Sequence, residues 1–299
     1  MKKNCYVILG LFVASTFSCA SITAKKTVKE SSVWEISDGE NTVYLAGSVH
    51  ILPKGTEIPS AFKKAFALSN AVVFEADVSQ LESDPKTRLS LRTKMILPKG
   101  QTLKTTLKND SYQKLSDACK LLGLSVEQFE RIKPSVVLNT LGTLQLQQFG
   151  FTEKGVDFYY EDRAKKAHKK MMFLETNNFQ INLLMTMFDD KIDEYISYAL
   201  EDLKKDKSET EDDLARMLSD WTNGTNEYVI ESNNEMNADY PSVYVRLLKD
   251  RNNNWVPIIK GYFKTKPVEF VIVGLAHIHG EDGLLKQLEA AGYRISKLR

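Results

Sequence analysis

Scarcity is informative in this 299-residue chain. It has four histidines, three cysteines and three tryptophans, and its 40 basic and 39 acidic residues leave a net charge of only +1. A balanced charge gives no indication of a nucleic-acid partner or of a polybasic contact with an anionic membrane. Two of the cysteines, Cys5 and Cys19, lie in the first twenty residues, so Cys119 is the one thiol of the remaining chain and no internal disulfide is available there. Long apolar runs are also absent. The longest, Cys5 to Phe17, covers thirteen residues, short of the roughly 20 that span a membrane.

That run has a different reading. Lys2 and Lys3 precede it and Ser18-Cys19-Ala20 follow it, the basic, apolar and small-residue order of a secretory leader at residues 1–20, with cleavage expected within 18–24. Cleavage after Ala20 or Ala24 releases a periplasmic or secreted protein and changes its net charge to −1. The alternative is lipidation of Cys19, which ties the protein to a membrane. Residues 30–299 then form one α/β domain in this reading.

The scarce histidines are not scattered. Val43-Tyr44-Leu45-Ala46-Gly47-Ser48-Val49-His50 and Phe270-Val271-Ile272-Val273-Gly274-Leu275-Ala276-His277 repeat one design, a β-rich apolar run closed by Gly-x-x-His. His279 stands just beyond the second motif, and His168, within a lysine-rich helix end, gets no role. Histidine titrates near neutral pH and is the commonest metal ligand, so two matched strand ends point to chemistry. Glycine three residues earlier allows a sharp turn or a close backbone approach. Either histidine on its own reads more readily as a structural side chain, and it is the matched pair that turns the reading toward a site.

Around these motifs the pattern predicts α/β order. Val33 to Ile36 and Thr42 to Leu45 form a hairpin across Ser37-Asp38-Gly39-Glu40-Asn41, and Pro59-Ser60 opens a helix whose apolar residues Ile58, Ala61, Phe62, Ala65 and Phe66 make one buried face. Ala71 to Phe74 reads as a strand covered on both faces and ends in Glu75-Ala76-Asp77. Residues from about 80 to 250 read as a large helical insertion, with Ser125-x-x-Gln128 as a capping box, Pro134 at a helix start, Met185 and Met187 as core, and one strand at Met171 to Leu174 before Glu175. Val268 to Leu275, a helix from Asp282 to Ala291 and a strand at Tyr293 to Ser296 close the chain. The fold class is thus α/β, a mixed β-sheet built from both chain ends, flanked by helices.

His50, Glu75, Glu175 and His277 all fall at or just beyond the ends of apolar runs, where open α/β sheets bind ligands. Two imidazoles and a carboxylate suffice for a divalent ion that retains a water. Arg251-Asn252-Asn253-Asn254-Trp255 reads either as a surface turn or as a forked donor for a carboxylate or an oxyanion.

The ordered set Leu45 to His50, Phe74 to Asp77, Gly155-Val156-Asp157, Leu174-Glu175-Thr176 with Gln180, Arg251-Asn252-x-x-Trp255 and Val273 to Gly280 resembles the TraB/GumN family over about Val33 to Leu298. That family is similar to the animal Tiki metalloproteases and, more distantly, to erythromycin esterases and a haem-binding lipoprotein group. The resemblance implies that His50, Glu75 and His277 hold a divalent metal ion of the Zn, Mn or Co class. It implies that these residues and Arg251 are catalytic, and that Asp77, Glu175, Gln180 and Asn252 bind the substrate. The reaction expected is metal-dependent hydrolysis, of a peptide first of all. A metal-free esterase using His50 and Glu75 as general base, acting on a small ester, is the alternative. An exported haem- or ligand-binding protein without turnover is the third reading.

Overall fold

The computed structural model describes residues 31–77, 80 and 84–299. The leader expected at residues 1–20 and its cleavage positions lie outside them. Among the described residues eight strands are formed: β1 (Val33–Ser37), β2 (Thr42–Ser48), β3 (Ile51–Pro53), β4 (Ala71–Phe74), β5 (Phe151–Lys154), β6 (Lys170–Phe173), β7 (Glu269–Gly274) and β8 (Arg294–Lys297). Six of them make a mixed sheet in the order β6-β4-β7-β2-β1-β8, and β3 pairs with β5 apart from it. β6, β4, β7 and β2 run parallel; β1 pairs antiparallel with β2, and β8 pairs antiparallel with β1.

Both chain ends therefore meet in one sheet. β2 and β7 are direct neighbours with Ser48 opposite Gly274, which brings the two Gly-x-x-His motifs side by side although more than two hundred residues separate them. β4 flanks β7 on its other side, with Phe74 opposite Ile272. Strand alternation sorts the apolar side chains into two cores. Tyr44, Ala46, Val72, Phe74, Phe270 and Ile272 share one face with Trp221, Tyr228 and Val229. Val43, Leu45, Val73, Val271 and Val273 share the other with Trp255, Ile259 and Leu284. Continuing the alternation, Ser48 and Gly274 face the first side.

The central helices have their own core around Leu115, Cys119, Leu141, Met187, Ile196 and Val243. Three details depart from the sequence reading. β3 and β5 had no signal, because Phe151–Lys154 carries a single buried residue. The strand expected at Met171 to Leu174 forms as β6, but it joins the main sheet beside β4, so the region 80–250 adds to the sheet as well as to the helices. Ser125 does not cap through the backbone; its hydroxyl donates to Glu127 and the segment Val126–Phe129 is a short 3-10 turn. The last helix is Leu284–Ala290, ended by Gly292 at φ 91°. No helix among the described residues is long and apolar enough to cross a membrane.

Candidate active site

The C-terminal ends of β2, β4 and β7 surround one empty position. A Cβ placed on Gly274 would lie 3.4 Å from Glu75 Oε1, 3.5 Å from His50 Nε2 and 3.6 Å from His277 Cδ2. These three atoms are thus all within about 7 Å of one another. They line a cleft of about 780 Å³, counting its open mouth, together with Ser48, Arg251 and apolar side chains from the helices Lys207–Asn223 and Glu227–Asp239. The glycine is what leaves this position free.

Arg251 organises the floor. It sits in the first turn of the helix Asp250–Tyr262, directly after a π-helical turn, Val245–Lys249, and is 4% exposed. The surface-turn reading is therefore incorrect, because the side chain turns inward across Trp255, 4.5 Å from the ring centre. All five N–H groups are used. Nε donates to Glu175 Oε2 at 3.0 Å, and Nη2 donates to Glu175 Oε1 at 2.7 Å and Glu75 Oε2 at 2.5 Å. Nη1 donates to Leu247 O at 3.2 Å and His277 Nε2 at 3.0 Å. A guanidinium has five such donors, so none remains for an oxyanion or a substrate carboxylate. Glu75 also accepts from the Gly274 N–H at 2.7 Å and from Gln180 Nε2 at 3.3 Å. Burial opposes its charge, but the Arg251 cation foremost holds the carboxyl down at about 2. Glu175 goes the other way: burial raises it, and the Glu75 charge adds to the rise while Arg251 offsets it in part.

The proton on His277 can be placed by elimination. Asn252 Nδ2 donates to the carbonyls of His277 (3.2 Å) and Asp282 (2.8 Å), which fixes the amide so that Oδ1 faces His277 Nδ1 at 2.7 Å. Nδ1 must then carry the proton, and Nε2 must accept from Arg251. Burial first, and the Arg251 charge next, push this imidazole down to about 3. His277 is neutral and has no free nitrogen. A linkage follows. The unfolded state takes up a proton on His277 below its ordinary value of 6.5, and the folded state does so only near 3. Stability is present above 6.5 and is lost as pH falls, with a slope of about 1.4 kcal/mol per pH unit from this group. Thermal unfolding midpoints should fall between pH 6.5 and 4.5, and His277→Gln should flatten that slope.

His50 differs. Its Nδ1 lies 2.9 Å from Asp157 Oδ2, and its ring, 32% exposed, presents Nε2 to the cleft. Burial lowers the imidazole, but the charge and hydrogen bond of Asp157, helped by Glu75, raise it to about 9. Asp157 reaches this place because β5 runs into Gly155, whose N–H donates to His50 O at 2.9 Å, while Val156 N–H donates to Val49 O at 3.1 Å. A Cβ on Gly155 would meet Val49 O at 2.1 Å, so only glycine permits the approach. Sequence reasoning quoted Gly155-Val156-Asp157 without giving it a role. An acid in the first turn of a helix reads locally as a dipole partner, which hides its contact with a histidine 107 residues away.

The other expected residues stand behind the lining. Glu175 and Gln180 hold Arg251 and Glu75, and Asn252 holds His277, so these three support the site from outside the cleft. Asp77 accepts the N–H of Gln80 at 3.0 Å and is not among the cleft-lining residues. His279 packs on Trp34 with ring centres 5.1 Å apart. The set expected for a divalent ion, His50, Glu75 and His277, does not fit one as placed. His277 has no lone pair to give, the Arg251 cation joins it to Glu75, and no group of three His, Cys, Asp or Glu among the described residues is arranged to hold a metal.

This architecture is that of an α/β protein with a histidine–carboxylate cleft at the C-terminal edge of its parallel strands. The model of the TraB/PrgY/gumN family matches residues 32–297, and the chain belongs to that family. It is 25% identical over 256 residues to the uncharacterized protein YbaP of Escherichia coli (strain K12), covering 84% of this chain and 89% of that protein. A shorter stretch of 74 residues is 38% identical to the metalloprotease TIKI2 of Danio rerio, covering 24% of this chain and 14% of that protein. No solved structure matches.

Proposed function

We propose that this protein is a hydrolase in which His50 and Glu75 activate a water for attack on a carbonyl. The observation that carries the reading is the free position above Gly274, bracketed by Glu75 Oε1 and His50 Nε2. A water in the space over the glycine, standing off its Cα at van der Waals distance and so farther out than a Cβ would be, donates one hydrogen to each. Neutral His50 takes the proton as the water oxygen bonds to the carbonyl carbon, and Asp157 stabilises the imidazolium formed. When the tetrahedral adduct collapses and the carbon–heteroatom bond breaks, His50 returns the proton to the leaving group. The Ser48 hydroxyl, 3% exposed and without a hydrogen-bond partner, lines the same cleft beside Gly274 and is the donor we assign to the oxyanion, since Arg251 has no N–H left. The family membership and the named activity of the Danio rerio relative support hydrolytic chemistry; a metal-bound route would need Arg251 to leave His277.

The test is a pH profile of kcat/KM on chromogenic esters and peptide anilides, with and without chelator. Activity should rise with pH as His50 loses its proton, with a midpoint near 9. Asp157→Asn removes what raises it, and burial then dominates, so the midpoint should drop below 6.5. Chelator should change nothing, His50→Ala should abolish turnover, and Ser48→Ala should cost about 10²-fold in kcat while Ser48→Thr retains it. Loss of activity on chelation, or full activity in His50→Ala, overturns the reading.

A further inference from the structure

Beyond its polar floor the cleft has a consistent character. Met217, Val229, Met236, Leu247, Leu248 and Leu275 line it, each at most 6% exposed in the folded chain. They come from the helices Lys207–Asn223 and Glu227–Asp239, the π-helical turn Val245–Lys249 and the segment after β7. The charged residues of the lining, His50, Glu75 and Arg251, all lie at the floor. Few polar side chains stand in the wall: Asn233 Nδ2 donates to Ala276 O at 2.8 Å, Ser232 has a partner, and the Tyr228 ring lies against Arg216. Backbone N–H and C=O groups within the wall helices are used in their own ladders.

An extended peptide in such a slot leaves its amide groups without partners, which is costly in a dry site. An alkyl chain brings no such groups. Two methionines give the wall the adaptability that suits a flexible chain. Resting on the hydrolase reading above, we infer that the cleft selects substrates by an unbranched apolar acyl chain, seated among Met217, Met236 and Leu247 with its ester carbonyl at His50.

Two measurements test this, and the second needs no turnover. The first is kcat/KM of the full chain for 4-nitrophenyl esters from acetate to octanoate. Octanoate carries six methylenes more than acetate and each buried one is worth about fourfold, so burial of only half of them should make octanoate better than acetate by about 50-fold. Met236→Trp, which fills the slot, should cut that ratio at least tenfold. The second is displacement of 1-anilinonaphthalene-8-sulfonate by octanoate and by acetate in the His50→Ala protein, where octanoate alone should compete. Chain-length-dependent displacement without ester hydrolysis keeps the slot and removes the hydrolase reading. Equal rates along the ester series, or peptide anilides cleaved with no acyl preference, with octanoate failing to displace the dye, overturn the inference.

Discussion

Arg251→Ala should lose about 3–5 kcal/mol of folding stability, because it strands two buried carboxylates that share one cation. Glu75 and Glu175 have side chains 10% and 6% exposed, and each bonds the guanidinium directly. The deficit should depend on pH in a way that a cavity does not. Without Arg251, burial raises both carboxyls above their unfolded values, so the folded state binds protons more readily than the unfolded one. The variant then regains stability as pH falls, and its deficit at pH 5 should be smaller than at pH 8. Denaturant melts at both values check this. Arg251→Met combined with Glu75→Gln and Glu175→Gln should recover much of the loss, since neutral amides need no cation. A deficit equal at both pH values would mean that packing against Trp255, and not charge, is what Arg251 supplies.

Gly274→Ala should leave the fold intact and remove activity. Its φ of −53° suits any residue, and the contacts of an added Cβ, 3.4 to 3.6 Å, are those of ordinary packing. The methyl group nevertheless projects into the space between Glu75 Oε1 and His50 Nε2 and pushes the attacking water away from both. Even a small misplacement of a reacting group costs about 10²-fold, so kcat/KM should fall by at least that much while the thermal midpoint stays near the parent's. Gly155→Ala is the contrast. There the added atom meets backbone at 2.1 Å, so the expected result is a destabilised protein, by about 1–3 kcal/mol. A fully active Gly274→Ala would place the reaction elsewhere in the cleft.

The two Gly-x-x-His motifs look equivalent in sequence and are not equivalent in space. After β2 the chain passes His50 and enters β3, whose pairing with β5 delivers Asp157 to one ring nitrogen and leaves the other open. After β7 it turns through a 3-10 segment under the helix Asp250–Tyr262, where Arg251 and Asn252 take both ring nitrogens of His277. The matching motifs thus supply one open imidazole and one locked one. Their strands were legible because runs such as Phe270-Val271-Ile272-Val273 are apolar at every position, as strands covered on both faces must be. Local pattern could not show β5, which buries one side chain, or the inward turn of Arg251, whose neighbours are three asparagines.

The amino-acid order alone pointed to the α/β class, to a sheet drawing on both chain ends and to the strands that end in His50, Glu75 and His277, because hydrophobic periodicity and glycine placement are local properties; that those ends are neighbours is a property of the sheet pairing. Protonation states, hydrogen-bond partners and the division of labour between His50 and His277 were decided only by the tertiary structure. Those depend on which groups lie within about 3 Å across more than a hundred residues of chain, and on how deeply each is removed from water.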